Sequence, residues 1–168
     1  MPKDTAFAPA RLLTRRTGFA AVAVIAAGLI GFAVLLQQTD NIEPCPLCIL
    51  QRYAFALVAL SAAAAALLPR RAATVPGIAG VAFALGGAGI STWHVWLQYH
   101  PPEVSSCGPG LGYLIGNLPL GRALPRIFQG YGDCTAIDWT FLGLTIPGWA
   151  LAWLLLLAAG LVVSLRRR

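Results

Sequence analysis

Two cysteines stand three positions apart in the run Glu-Pro-Cys-Pro-Leu-Cys-Ile-Leu-Gln-Arg, which begins at Glu43. Cys45 and Cys48 are therefore a Cys-x-x-Cys pair, a motif that can form a strained and easily reduced disulfide. Pro46 is suited to the start of a helix, which predicts Cys48 in the first turn, where the helix dipole stabilises a thiolate. The motif alone also admits a structural disulfide or half of a zinc site.

Arg52 and His94 are the polar residues that could act with this pair. Arg52 follows Cys48 by four positions, so the two side chains share one face of a helix. Its guanidinium would favour the Cys48 thiolate and donate hydrogen bonds to a carbonyl oxygen that gains negative charge; the alternative is an arginine extended to a membrane interface. His94 could donate a hydrogen bond to a ligand or relay a proton, and the alternative is an interfacial histidine.

The other two cysteines, Cys107 and Cys134, stand in a stretch rich in glycine and proline. A disulfide between them could have only the structural role of closing the loop. It could also be a mobile disulfide that a partner's thiolate attacks, because exchange needs an accessible sulfur. Four thiols permit three pairings. Cys45 with Cys48 and Cys107 with Cys134 is the simplest, since each pair lies within one loop.

The composition indicates that helices in a membrane must position these residues. Of the 168 residues 58% are hydrophobic and only 11% are charged, whereas a soluble domain carries about 25% charged residues. Four apolar segments each approach the roughly 20 residues that cross a bilayer. We therefore expect an all-α fold, a single integral membrane four-helix bundle over residues 1–168, with spans at about 18–36, 49–68, 76–97 and 147–165 and external loops at about 37–48 and 98–146. The first span is longer than the apolar core of a signal peptide, so we expect it to be retained.

The net charge of +6 is distributed as membrane topology requires, and it does not indicate nucleic-acid binding. Nine of the twelve Lys and Arg residues precede the first span, occupy the second loop or end the chain. By the positive-inside rule both termini are cytoplasmic. All four cysteines then face the opposite, oxidising compartment, which implies two disulfides. The spans lack ionisable residues at depth, which disfavours an ion path and places the chemistry at the external face.

The loop at 98–146 is long for a small bundle, and such loops are usually functional or mobile. Its middle is apolar, with Arg122 and Arg126 four positions apart. A short amphipathic helix in the membrane surface fits this pattern, and a loop packed on its own side chains fits equally well. Small residues in the spans predict close helix packing. The five tryptophans are expected mainly in an interfacial belt.

Taken together, these residues resemble the bacterial disulfide bond formation protein B (DsbB) family of membrane thiol–quinone oxidoreductases. The resemblance covers nearly the whole chain: four spans, Cys45-Pro-Leu-Cys48 opening the second, Arg52 after it, and a loop that bears Cys107 and Gly132-Asp133-Cys134. It continues through Trp139 and Phe141-Leu142-Gly143-Leu144 to Pro147 and Trp149. The stretch 108–130 departs from the family pattern.

The resemblance implies a mechanism with the four cysteines as catalytic residues and no metal. A reduced periplasmic thioredoxin-fold oxidase, the DsbA-like partner, would attack Cys107 and free Cys134. Cys134 would exchange with Cys45, leaving Cys48 as a thiolate that faces a quinone, either ubiquinone or menaquinone. Arg52 and His94 would bind the quinone head group, and the quinol would return electrons to the respiratory pool. The implied location is the bacterial inner membrane, with the cysteines on the periplasmic side.

Two rival interpretations compete with this one. A vitamin K epoxide reductase-like protein shares the four-helix, quinone-binding plan, but its Cys-x-x-Cys pair is expected after the loop cysteines, whereas here it comes first. The second rival is a non-catalytic membrane protein with two structural disulfides, or a four-cysteine metal protein. In either case the redox state of the cysteines would not depend on quinone. Trapping the thiols by alkylation, with and without quinone, distinguishes these cases.

Overall fold

The computed structural model describes residues 15–39, 44–101, 133–137 and 139–167. Four long helices and a two-stranded hairpin occupy these ranges, and each helix is long and apolar enough to cross a membrane. The predicted all-α four-helix membrane bundle is confirmed, and every helix end lies within three residues of the predicted segment. The elements are α1 (Arg15–Thr39), α2 (Pro46–Leu67), α3 (Thr74–Tyr99), β1 (Thr140–Phe141), β2 (Leu144–Thr145) and α4 (Ile146–Arg166).

Helix α2 begins at the cysteine motif. Pro46 occupies its first position, because proline has its φ preset for a helix and lacks an N–H that would otherwise need a partner there. Cys45 is the extended N-cap residue, and its Sγ accepts a hydrogen bond from the Cys48 amide at 3.3 Å. The same residues that could carry redox chemistry therefore also start the helix.

The four helices form a ring in which each helix packs against its neighbours. Helix α1 packs on α2, α2 on α3 and α3 on α4, and a smaller α1–α4 contact closes the ring. The core between them is aliphatic and aromatic, with Phe19, Val58, Leu154 and Leu161 fully buried. Because the α2–α3 connection spans only a few residues, these two helices are antiparallel neighbours.

Glycine permits a close helix approach at Gly87. A Cβ there would lie 2.6 Å from the Ala54 Cβ and 3.1 Å from Leu154, so α2, α3 and α4 meet at this point. The expected packing role of the small residues is wrong for four other glycines, Gly28, Gly31, Gly86 and Gly89. A Cβ at any of these would meet no atom of the described chain within 4 Å, because these positions face away from the neighbouring helices.

All the described arginines except Arg52 lie at the end of the bundle opposite the described cysteines. Arg15, at the start of α1, donates hydrogen bonds to the Arg70 carbonyl oxygen at 3.0 Å and to the Thr74 hydroxyl at 3.3 Å. Helix α4 ends at Arg166 on the same side, since consecutive helices alternate in direction. Cys45 stands at the other end, where α2 begins.

A tight hairpin leads into α4 at the cysteine end. Thr140 pairs with Thr145 and Phe141 with Leu144, and the turn between them has positive φ at Leu142 (51°) and Gly143 (79°). Two such residues in succession are what a type I′ hairpin turn needs. The Trp149 indole donates a hydrogen bond to the Phe141 carbonyl oxygen at 3.0 Å, which ties the hairpin to the first turn of α4.

Candidate functional site

The Cys45 and Cys48 sulfurs are 3.1 Å apart, and both are thiols in this structure. Cys48 stands in the first turn of α2, as predicted, and is half-buried. Cys45 is only 3% exposed. The helix start brings the two side chains together because an N-cap residue and the third helical residue are adjacent around the first turn. A disulfide between them needs only a small change of side-chain rotamer.

Cys134 lies against this pair. Its side chain is 1% exposed and shares a hydrogen bond with the Cys45 thiol. The hydrogen bonds from Cys134 and Cys48, together with burial, raise the pKa of Cys45. Three of the four cysteines therefore meet at one point, and Cys45 is in contact with both of the others.

Four polar residues hold the segment around Cys134 in place. Asp133 accepts hydrogen bonds from the Thr135 amide at 2.9 Å and the Thr135 hydroxyl at 2.8 Å, which forms a tight Asx-type turn. Gln98, near the end of α3, donates to the Ala136 carbonyl oxygen at 3.2 Å. The Thr145 hydroxyl in turn donates to the Gln98 amide oxygen at 2.8 Å. Gln98 thus links the segment to both α3 and the start of α4.

His94 is buried beside the sulfurs, at 2% exposure. Its Nε2 lies 3.6 Å from the Cys45 Sγ, and the ring also hydrogen-bonds to the backbone of Cys134. The other ring nitrogen, Nδ1, lies 3.2 Å from the amide nitrogen of Gln51. Helix α3 packs on α2 at this level and covers the His94 ring.

Arg52 is anchored to α1. Its guanidinium donates hydrogen bonds to the Gln37 side-chain oxygen at 2.8 Å and to the Ala33 carbonyl oxygen at 3.4 Å. It also interacts electrostatically with Cys48 and, more weakly, with Cys45. The Arg52 side chain is half-buried and held in place by these contacts.

An apolar cavity of about 430 Å³ opens beside the sulfurs. This volume lies in the range of small-molecule sites, which are mostly apolar with a few placed polar groups. Three of the tryptophans expected in an interfacial belt, Trp139, Trp149 and Trp153, line it, whereas Trp93 and Trp96 are more than half exposed. Its wall includes Cys45, Cys48, Arg52, His94, Gln51, Gln98, Leu29, Phe32, Leu36, Phe55, Ile146 and Ala150.

Gln51 and Gln98 had no role in the sequence interpretation. Gln51 follows Cys48 by three positions, so spacing alone could have placed it on the face of α2 that Cys48 and Arg52 share. In the structure its side chain is only 3% exposed. Gln98 gives no such signal, because its partners, Ala136 and Thr145, are distant in sequence.

Some predicted features lie outside the described residues. Cys107 and the pair Arg122 and Arg126, with their predicted amphipathic helix, are in this category. The expected Cys107–Cys134 disulfide therefore stays a prediction.

Comparison with known proteins identifies the family of the chain. Residues 15–164 match the family model described as disulfide bond formation protein DsbB. A disulfide bond formation protein B of Aromatoleum aromaticum is 43% identical over 155 residues, covering 91% of this chain and 93% of the relative. Those of Azoarcus sp. strain BH72 and Methylococcus capsulatus are 49% and 46% identical, and each covers more than four fifths of both chains. The chain therefore belongs to the DsbB family of disulfide bond formation proteins.

Proposed function

We propose that this chain is a protein-disulfide:quinone oxidoreductase that reoxidises a DsbA-like periplasmic thiol oxidase and passes the electrons to ubiquinone or menaquinone. The observation that carries the proposal is the position of Cys134. It lies in hydrogen-bond contact with Cys45, which is 3.1 Å from Cys48 at the wall of an apolar cavity. The inner pair and Cys134 thus meet beside a site suited to a lipid-soluble molecule.

The first step takes place at the outer pair. A thiolate of the reduced partner attacks Cys107 in a Cys107–Cys134 disulfide, forming a mixed disulfide and releasing Cys134 as a thiolate. The second partner thiol then displaces Cys107, which leaves the partner oxidised. Two electrons have passed from the partner to the outer cysteines.

The second step transfers these electrons to the inner pair. Cys134 attacks Cys45 of the Cys45–Cys48 disulfide, and Cys48 leaves as a thiolate. The Cys107 thiolate then attacks Cys134, which restores the outer disulfide and releases Cys45. The geometry favours Cys48 as the leaving group, because it stands in the first turn of α2 and interacts with the Arg52 guanidinium.

The third step restores the inner disulfide at the cavity. A quinone bound there supplies an acceptor for two electrons and two protons, and quinol is the product. Arg52 is placed to donate hydrogen bonds to an oxygen that gains negative charge. His94 joins the sulfurs to the buried amide of Gln51 through its two ring nitrogens, so it can take the proton that Cys45 releases.

The charge distribution supports a location for this chemistry. Arg15, Arg70 and Arg166 lie at the end of the bundle away from the cysteines, and cytoplasmic ends carry such an excess. We therefore assign the chain to the bacterial inner membrane, with both termini cytoplasmic and the sulfurs on the periplasmic side.

Purified protein in detergent, mixed with a reduced DsbA-like oxidase and a short-chain ubiquinone, tests the proposal. We expect the quinone absorbance to decrease in proportion to the partner disulfide formed. Cys48→Ser and Cys134→Ser should each abolish turnover, whereas Trp93→Phe, at an exposed position on α3, should retain it. Partner oxidation without quinol formation would contradict the proposal, as would turnover by the Cys48→Ser variant.

A cellular test separates this function from that of a protein with structural disulfides. Thiols are trapped by alkylation in cells with and without quinone synthesis. The proposal expects Cys45 and Cys48 to become reduced when quinone is absent. If they stay oxidised while reduced partner accumulates, the cysteines do not form a relay.

A further inference from the structure

We propose that the fully reduced protein binds Zn²⁺, with Cys45, Cys48, Cys134 and His94 as its four ligands. The cation would hold the inner thiols in a state that cannot form a disulfide. The inference rests on the arrangement of these side chains and does not depend on quinone being the electron acceptor. It also revises the expectation, made from the sequence, that the site holds no metal.

Three of the four proposed ligand atoms are already close to the separations that a tetrahedral zinc site needs. The Cys45 and Cys48 Sγ atoms and a His94 ring nitrogen lie within 4.8 Å of one another. Zn–S and Zn–N distances of about 2.3 and 2.0 Å place ligand atoms about 3.8 Å (S to S) and about 3.5 Å (S to N) apart. The separation of Cys45 Sγ from His94 Nε2 is 3.6 Å. The separation of the sulfurs, 3.1 Å, would have to widen by about 0.7 Å, a modest side-chain rotation.

Cys134 completes the set only if its side chain moves toward the cation, because its Sγ is not among the ligand atoms that lie within 4.8 Å of one another. It is buried and in hydrogen-bond contact with Cys45, and His94 bonds to its backbone. A Cys₃His set with a Cys-x-x-Cys pair at a helix start is a common structural zinc site. Cys107 is not needed for this ligand set, which distinguishes it from the four-cysteine site considered from the sequence.

The surroundings of His94 resemble those of a metal ligand. Metal-bound histidines usually donate their second ring N–H to a carbonyl or carboxylate oxygen, which fixes the tautomer. Here Nε2 faces the sulfur and Nδ1 faces the buried Gln51 amide at 3.2 Å. With the Gln51 amide oxygen toward Nδ1, an orientation that rotation about its last bond provides, the Nε2 lone pair is free for the cation.

The local charge also suits this ligand set. Three thiolates and one neutral imidazole around Zn²⁺ carry a net charge of −1, and the Arg52 guanidinium interacts with two of the sulfurs. Each bound thiolate must first lose its proton. Zinc affinity should therefore increase with pH.

Such binding would interrupt disulfide formation. Zinc has no redox chemistry of its own, so it cannot reoxidise the thiols, and each coordinated sulfur is withdrawn from exchange. The site exists only while Cys45 and Cys48 are both reduced. A protein short of oxidant would therefore be the form most susceptible to the metal.

Cobalt titration of the full-length protein tests the proposal. The reduced protein, in detergent and without quinone, is titrated with Co²⁺ and then with Zn²⁺. We expect one equivalent of Co²⁺ to give the strong visible bands of a tetrahedral ion and a thiolate charge-transfer band, and Zn²⁺ to displace it. The oxidised protein should give neither. An absence of tetrahedral bands in the reduced protein would overturn the proposal.

Single variants identify the ligands. Cys134→Ser and His94→Ala should each weaken Co²⁺ binding by at least about tenfold and shift the visible bands. His100→Ala, an exposed histidine near the same helix end, should bind like the unmodified protein, and so should Cys107→Ser. If Cys107→Ser abolishes the bands while His94→Ala leaves them unchanged, the ligands are four cysteines and the assignment of His94 is overturned.

Gln51 provides a variant that leaves every ligand in place. Gln51→Leu should weaken Zn²⁺ binding about 10- to 100-fold, and Gln51→Glu, which keeps an acceptor oxygen for Nδ1, should restore it. Equal affinity in all three proteins would overturn the role of Gln51 in orienting His94. Because no quinone or partner is present, these outcomes are independent of whether the proposed oxidoreductase function holds.

Discussion

The side chains of Cys45 and Cys134 share a hydrogen bond, although one caps α2 and the other precedes the hairpin before α4. Both are almost completely shielded from solvent. Contact between thiols from distant parts of a chain is what direct exchange requires, because the attacking sulfur must reach the disulfide without a carrier.

This contact predicts a specific cross-link. In a Cys48→Ser, Cys107→Ser double variant, mild oxidation should form a Cys45–Cys134 disulfide, since the two remaining thiols are already adjacent. Proteolysis and mass spectrometry of the non-reduced protein would detect the linked peptides, and Cys45→Ser added to this background is the control. Recovery of Cys45 and Cys134 as separately alkylated residues would contradict the contact.

Gln98→Leu should slow electron transfer from the outer to the inner pair. Gln98 holds the segment after Cys134 through Ala136 and Thr145, and losing two hydrogen bonds costs about 1–3 kcal/mol. We therefore expect roughly a tenfold or greater decrease in partner-driven turnover. Turnover driven by dithiothreitol, which can reduce the inner pair directly, should change little.

Thr145→Val supplies the matched variant, because it removes the second of these bonds and leaves Gln98 in place. The double variant should be no slower than Gln98→Leu alone, as expected for residues of one network. Equal slowing of both half-reactions would show that Gln98 acts only on overall stability.

Arg52→Lys should weaken quinone use, even though the charge is kept. Lysine cannot donate to Gln37 and Ala33 and also present a flat pair of donors to an oxygen in the cavity. We expect the KM for short-chain quinone to rise by about tenfold or more, the loss of a charged hydrogen bond, while the partner concentration dependence stays the same. Arg70→Lys, in the α2–α3 turn, is the control, and an unchanged quinone KM would argue against the assigned role.

Gly87→Val should destabilise the bundle, whereas Gly86→Val should not. A Cβ at Gly87 would lie 2.6 Å from Ala54, but one at Gly86 meets no described atom within 4 Å. Overpacking of this kind typically costs about 1–3 kcal/mol. Thermal unfolding in detergent, followed by helical circular dichroism, should show a lower Tm for the first variant only. Similar Tm values for both would contradict the packing at this crossing.

The turn beside Cys134 should depend on pH through Asp133. Hydrogen bonds from the Thr135 amide and hydroxyl lower the pKa of Asp133 below its usual value of 3.8. A lowered pKa means that the carboxylate supports the turn above pH 3.8, and that this support is lost as the pH falls through the folded-state pKa. Carboxyl NMR should give an Asp133 titration midpoint below 3.8, and Thr135→Ala should return it toward that value.

The local elements followed from sequence patterns because their causes are local. Apolar length predicts the four helices, and Pro46 with its flanking cysteines predicts where α2 begins. The spacing of Cys48 and Arg52 places them on one helical face. Each of these conclusions depends on residues within a few turns of one another.

The tertiary structure alone decided which residues share the site. The pairs Gln51 with His94, Gln98 with Thr145, and Cys45 with Cys134 each join different elements. Their contacts depend on how α2, α3 and α4 rotate and slide against one another, which close packing at points such as Gly87 determines. The sequence by itself determined the chemistry available to this protein and the helices that carry it, whereas packing between distant segments decided which sulfurs, ring nitrogens and amides come within bonding distance.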